Sequence, residues 1–160
     1  MKRINWNRLL TALKNKGAVL FIGPDIEKDD KGEVAYHAFA QKMVKRYEGE
    51  VEIDSDGFFF FVEPEAETDV TYNMRSFYKK NDFAEDLYKN IAQIPFHLIV
   101  TLSPDDGIHN VFNQNGIEHQ FAHFDYYPAE LDEATIDKPL IYNLFGLATK
   151  GKYILTQEHY

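Results

Sequence analysis

Three apolar runs in this chain each stop at a turn signal, and this pattern constrains the fold more than any other feature. Ala18-Val19-Leu20-Phe21-Ile22 stops at Gly23, "FHLIVTL" (96–102) stops at "SPDDG", and "PLIYNLF" (139–145) stops at Gly146. A strand buried on both faces reads as a continuous apolar run, whereas a half-buried strand alternates. "EHQFAHFDYY" (118–127) reads as one more strand. Helical spacing of apolar residues separates these segments. Strands alternating with helices predict an α/β fold in three layers, with helices on the faces of a mostly parallel central sheet.

The helices are expected over 4–15, 33–47, 69–80, 82–93 and near 107–115. Ile4, Leu9, Leu10 and Leu13 define the first of them, and Val34, Phe39, Met43, Val44 and Tyr47 the second. Pro95 ends the fourth, because proline cannot continue a helix and disfavours helical backbone just before it. In "SPDDG", Ser103 suits a helix cap and Pro104 the first helical position. "EGEVEIDSDG" reads as a polar turn and "EPEAETD" as an exposed acidic connection. "FFFFV" (58–62) is too short for its pattern to separate strand from buried helix.

A chain of 160 residues is large enough for one domain with a real core, and 44% hydrophobic with 15% aromatic residues is the composition of a folded protein. Residues 1–160 read as a single domain, or as the N-terminal part of a longer protein. With no cysteine, disulfides and thiolate chemistry are excluded. The formal charge is −9, with 17 basic against 26 acidic residues and no dense basic cluster, which argues against nucleic acid as a partner. No run approaches the length that spans a bilayer, and "MKRINWNRLL" lacks the apolar stretch of a signal peptide. A cytoplasmic domain that does not contact a membrane is the expectation.

Four short stretches, in order, carry a family resemblance. They are Gly23-Pro24-Asp25-Ile26-Glu27 after the first strand, Thr101-Leu102-Ser103-Pro104-Asp105 after the second, Phe145-Gly146 after a later one, and Leu155-Thr156 with Tyr160 at the end. In this order the chain resembles the SIR2-like (sirtuin-like) domains of bacterial defence proteins. The resemblance implies a Rossmann-like fold and a former NAD cleft built from Gly23, Asp25, Glu27, Thr101, Ser103, Asp105, Phe145 and Gly146. The family's turns are G-A-G-x-S, T-T-N-x-D and His-Gly, so this chain departs from them at the positions that do chemistry.

Each departure has a physical meaning. Asp25 replaces a glycine that lets backbone approach a pyrophosphate, and Glu27 replaces a small hydroxyl residue. A unit charge repels another ~4 Å away by roughly 4 kcal/mol at an effective dielectric near ~20, so two carboxylates here would oppose phosphate. Ser103 is too short for the two-ended contacts of the family's asparagine, and Phe145 cannot accept a proton as its histidine does. Asp105 matches the pattern, although capping the next helix is the commoner job of such a residue.

The resulting expectation is a catalytically inactive module that recognises or scaffolds a protein partner or a downstream domain, with no cofactor. The alternative is an enzyme that binds or hydrolyses NAD, or senses ADP-ribose, with an altered site. A third reading is a binder of an uncharged or cationic ligand. His119 and His123 share a strand face without a third ligand and read as ordinary histidines. The acidic run 25–33 does not match a calcium loop, and Ser103, Asp105 and His109 lack the turn of a hydrolase nucleophile.

Overall fold

In the computed structural model, which describes residues 4–29, 31–80, 83–125 and 130–159, the core is a four-stranded sheet whose strands all run parallel. Its members are β1 (Leu20–Ile22), β4 (Leu98–Thr101), β5 (Gln120–His123) and β6 (Leu140–Asn143), in the order β1-β4-β6-β5. The three apolar runs therefore lie side by side. Ile22, Thr101 and Asn143 are in register at their carboxyl ends. This is a mixed α/β fold with a parallel central sheet, as the strand pattern predicts.

Among the described residues five α-helices complete the frame, α1 (Trp6–Lys14), α2 (Ala35–Arg46), α3 (Pro64–Lys80), α4 (Glu85–Ile91) and α5 (Gly107–Gln114). One face of the sheet presents Ile22, Ile99 and Ile141 to Tyr88 and Ile91 of α4 and to Ile108, Val111 and Phe112 of α5. A second apolar cluster joins α2 and α3 to a hairpin of β2 (Val51–Ile53) and β3 (Phe59–Phe61) through Phe39, Met43, Val51, Phe59, Val70 and Met74. Two small strands, β7 (Gly146–Leu147) and β8 (Lys152–Tyr153), pair antiparallel beyond β6.

Several local expectations change on contact with the fold. The run 18–22 is a strand only from Leu20, and it is an edge strand whose Phe21 is 58% exposed on the face opposite α4 and α5. "EPEAETD" is not a connection but the start of α3. Pro64 fits a first helical position, and Glu65 and Glu67 complement the helix dipole. Part of the polar stretch 48–57 is strand β2. Val51 and Ile53 face Phe61 and Phe59, and Asp54 closes the hairpin by accepting hydrogen bonds from the amides of Asp56 and Phe58 at 2.8 and 2.9 Å. The ambiguous "FFFFV" is its partner strand. The strand expected over 118–127 is shorter at Gln120–His123, and Tyr126 and Tyr127 lie outside the described residues, as do Asp30 and Tyr160. No described helix is long and apolar enough to cross a membrane.

Glycine is required at one position beyond β6. Gly146 has φ +84°, and a Cβ there would lie 1.9 Å from the carbonyl oxygen of Lys152 across the β7–β8 pair. Gly146→Ala is expected to destabilise the chain by at least about 2 kcal/mol, since left-handed strain and backbone overlap add. Urea unfolding followed by circular dichroism measures it.

Candidate functional site

The carboxyl ends of β1, β4 and β6 meet in a polar cluster that is sealed inside the protein. Thr101, at the end of β4, is buried, and its Oγ1 accepts the Ser103 amide at 3.0 Å. That bond turns the chain sharply after the strand. Asn143, in register with Thr101 on β6, donates from Nδ2 to the carbonyls of Ser103 and Asp105 at 3.1 and 2.9 Å. The Tyr153 hydroxyl donates to the Leu102 carbonyl at 3.0 Å, and the Ala148 amide to that of Pro104 at 2.9 Å. Four consecutive carbonyls, 102 to 105, are thereby satisfied by residues of β6 and the segment after it.

This scaffold displaces the expected helix cap. α5 begins at Gly107 with Asp106 in the cap position, so Ser103 and Pro104 precede the helix and are buried. Asp106 ties the helix start to the β7–β8 region by accepting from Asn110 Nδ2 at 3.2 Å and Thr149 Oγ1 at 3.3 Å. Gly107 leaves room for its neighbours: a Cβ would lie 2.8 Å from Asp105 Oδ2 and 2.9 Å from the Tyr88 ring.

Glu27 enters the cluster from the β1 side. After Ile22 the chain makes a 3₁₀ turn over Pro24–Ile26, which brings Glu27 inward, and its carbonyl then accepts the Ala35 amide at 2.9 Å. Its side chain is fully buried, with Oε1 accepting from the Tyr88 hydroxyl at 3.1 Å. The same hydroxyl lies 3.4 Å from Ser103 Oγ. Burial pushes the Glu27 carboxyl up from its ordinary range, against hydrogen bonds from Asp105, Ser103 and Tyr88. Burial pushes Asp105 well up too, and the neighbouring Glu27 charge adds to it. Burial also raises the Tyr88 hydroxyl, so it remains a proton donor.

The residues of the expected cleft thus divide. Glu27, Thr101, Ser103 and Asp105 converge. Asp25 does not join Glu27, because the 3₁₀ turn directs it outward, with its side chain 73% exposed and one oxygen 4.0 Å from His37 Nε2. Asp29 of the turn has structural work: its Oδ1 accepts the Lys31 and Glu33 amides, both at 2.9 Å. Phe145 packs its ring 6.1 Å from Phe58 and 6.3 Å from Tyr153, joining the hairpin to β8. Gly146 serves the backbone crossing described above. Gly23 has open space around it and an extended backbone, so no steric demand for glycine exists there.

Two members of the cluster carried no signal as functional residues. Tyr88 reads as an apolar position of a helix, and Asn143 as a polar residue within a strand run. An asparagine at the carboxyl end of a buried strand is the cue that identifies such a turn holder.

The histidines form a separate chain of hydrogen bonds. His119 Nδ1 is 2.7 Å from the Ile117 carbonyl, His119 Nε2 is 2.8 Å from His109 Nδ1, and His109 Nε2 is 3.0 Å from Asn113 Nδ2. With the Asn113 amide donating, the chain of bonds is completed when each ring donates from Nδ1 and accepts at Nε2. His123 stands apart, beside the Phe124 carbonyl at 3.0 Å. Among the described residues no three histidine, aspartate or glutamate side chains are grouped to hold a metal ion. Elsewhere a cavity of about 430 Å³ opens between α3 and β8, and one of about 560 Å³ between the β2–β3 hairpin, the start of α3 and residues 156–159; Glu67 and His159 line both.

Comparison with known protein families finds no matching family model, and no curated protein matches the sequence.

Two outcomes are expected. Tyr88→Phe removes the donor to Glu27 and should destabilise the chain by about 1–3 kcal/mol without changing its circular dichroism. The His109 ring is lowered in pKa by burial and by His119. Its contribution is therefore present above the unfolded-state value near 6.5 and is lost as pH falls below it. Histidine NMR of the native chain should show both rings as Nδ1–H tautomers at neutral pH.

Proposed function

We propose that this chain is a catalytically inactive, Rossmann-like module of SIR2-like type, working in the cytoplasm to recognise or scaffold a protein partner in a bacterial defence-type system. The observation that carries the reading is the sealed position of Glu27. In open α/β sheets ligands bind in the crevice beyond the carboxyl ends of the strands, and phosphates rest on the turn after the first strand. In this chain the corresponding space between the ends of β1 and β4 is taken by the Glu27 side chain, bonded to Tyr88 and lying beside Ser103 and Asp105.

Two further points support an inactive site. Asp105, the one acid at a matching position, is buried, with its own backbone carbonyl tied to Asn143. Phe145 is a packing residue between the β2–β3 hairpin and β8 rather than a proton acceptor. Loss of a general base alone commonly removes about 10²- to 10⁴-fold of rate.

The test is a calorimetric titration of NAD and of ADP-ribose into the chain at low salt, with an assay of NAD turnover beside it. No binding is expected below about 1 mM, a range in which even weak specific sites register, and no turnover is expected. Because Asp25 faces solvent, Glu27→Ser should be the substitution that alters this and Asp25→Gly should be silent. Tight binding or steady turnover by the unmodified chain would transfer the reading to an NAD-using enzyme or sensor.

A further inference from the structure

The buried carboxyls of Glu27 and Asp105 have complementary deficits. Glu27 Oε1 is satisfied by Tyr88, but Oε2 is buried without a hydrogen-bond partner. The Gly107 amide bonds to the Asp105 carboxyl, yet Asp105 Oδ1 is buried and likewise has no partner. Both side chains gather around Tyr88: its hydroxyl bonds Glu27 at 3.1 Å and lies 3.4 Å from Ser103 Oγ, and the space at Gly107 is bounded by Asp105 Oδ2 and the Tyr88 ring together, so the two carboxyls act on one another directly. A hydrogen bond between two carboxyl groups needs a proton on one of them.

The surroundings supply no other remedy. Tyr88 of α4 bonds Glu27, with Ser103 beside it, and Tyr78 of α3, Tyr153 of β8 and Asp106 lie near enough to act on the pair electrostatically. These are hydroxyls and one more acid. Among the described residues no lysine, arginine or histidine acts on either carboxyl. Two bare carboxylates at this separation, out of water and with no cation, repel strongly, whereas an acid and a carboxylate attract.

We propose that Glu27 and Asp105 hold a single proton between them, and that this proton is the latch that keeps the turn from β1 to α2 folded over the carboxyl end of the sheet. Glu27 is the only side chain of the turn Pro24–Asp29 that is fully buried. When the proton leaves to hydroxide, the pair becomes two anions and Glu27 is driven toward solvent, drawing with it the backbone bonded to Ala35. The latch is independent of whether the fold ever bound a nucleotide.

The sign follows from linkage. Both carboxyls sit above their unfolded values, so the stabilisation is complete at low pH and is lost as pH rises toward the folded value. Over the window where the folded chain keeps one proton that the unfolded chain has released, the folded-to-unfolded ratio falls about tenfold for each pH unit. Asp105→Asn replaces the acid with an amide that donates to Glu27 at every pH, so the slope should become shallower, leaving only the part that burial of Glu27 causes. The histidine chain contributes equally to both proteins and cancels in the comparison.

The experiment is denaturant unfolding of the full chain and of Asp105→Asn from about pH 5 to about pH 9, the range over which ordinary carboxylates are already ionised. Amide exchange of Asp29 and Ala35, whose N–H groups bond within the turn, is followed alongside. The unmodified chain should lose stability with rising pH more steeply than the variant, and its two amides should lose protection first. Infrared spectra of the unmodified chain at neutral pH provide a readout that needs no variant: a protonated carboxylic acid band should persist. Absence of that band, or equal slopes in the two proteins, overturns the proposal.

Discussion

The carboxyl end of this sheet depends on the burial of one carboxyl group that has no positive partner. An isolated carboxylate transferred from water to a protein interior is strongly disfavoured, and proteins commonly answer with an arginine or lysine. Here the answer is hydroxyls and a second carboxyl, supplied by Tyr88 of α4 and by Ser103 and Asp105 of the turn after β4. Tyr88 must stand where it does for Glu27 to be solvated. Gly107 must lack a side chain for Tyr88 and Asp105 to fit together. Asn143 must hold the carbonyls of Ser103 and Asp105 so that the turn presents Asp105 inward. Each requirement narrows the next, and together they couple β1, α4, β4 and β6 at one point.

The parallel sheet was legible because burial on both faces leaves a continuous apolar run, and three such runs ended at unmistakable turns. Its limits were less so. Val19 and Phe21 look like core residues in the sequence, yet an edge strand with an open face exposes them. The start of α3 was hidden for the opposite reason: Glu65 and Glu67 look like loop residues, and only the burial of Ala66 shows which face packs. β2 is three residues with a glutamate in the middle, and nothing local distinguishes it from a turn until Phe59 and Phe61 lie opposite.

The site divides along the same line. That residues 27, 101, 103 and 105 would converge follows from parallel strand ends, which a sequence pattern can place. That Asp25 and Glu27 point opposite ways depends on a 3₁₀ turn of three residues, and alternation along an extended chain would have put them on one side. Tyr88 lies 61 residues from the acid it solvates. No spacing rule reaches across such a distance, so this partnership becomes visible only in three dimensions.

The exposed edge of β1 has a consequence for how copies of the chain behave toward one another. On the side away from β4, an edge strand offers unpaired backbone donors and acceptors, and Phe21 adds a large apolar surface beside them. Such an edge invites strand addition between molecules. The strand itself, Leu20–Ile22, carries no charge to discourage it. What opposes association is the body of the protein, with its formal charge of −9, acting at a distance. That repulsion is screened within about 8 Å at physiological ionic strength. Salt therefore sets how closely two such edges can approach, and colloidal stability is governed by residues far from the surface at risk.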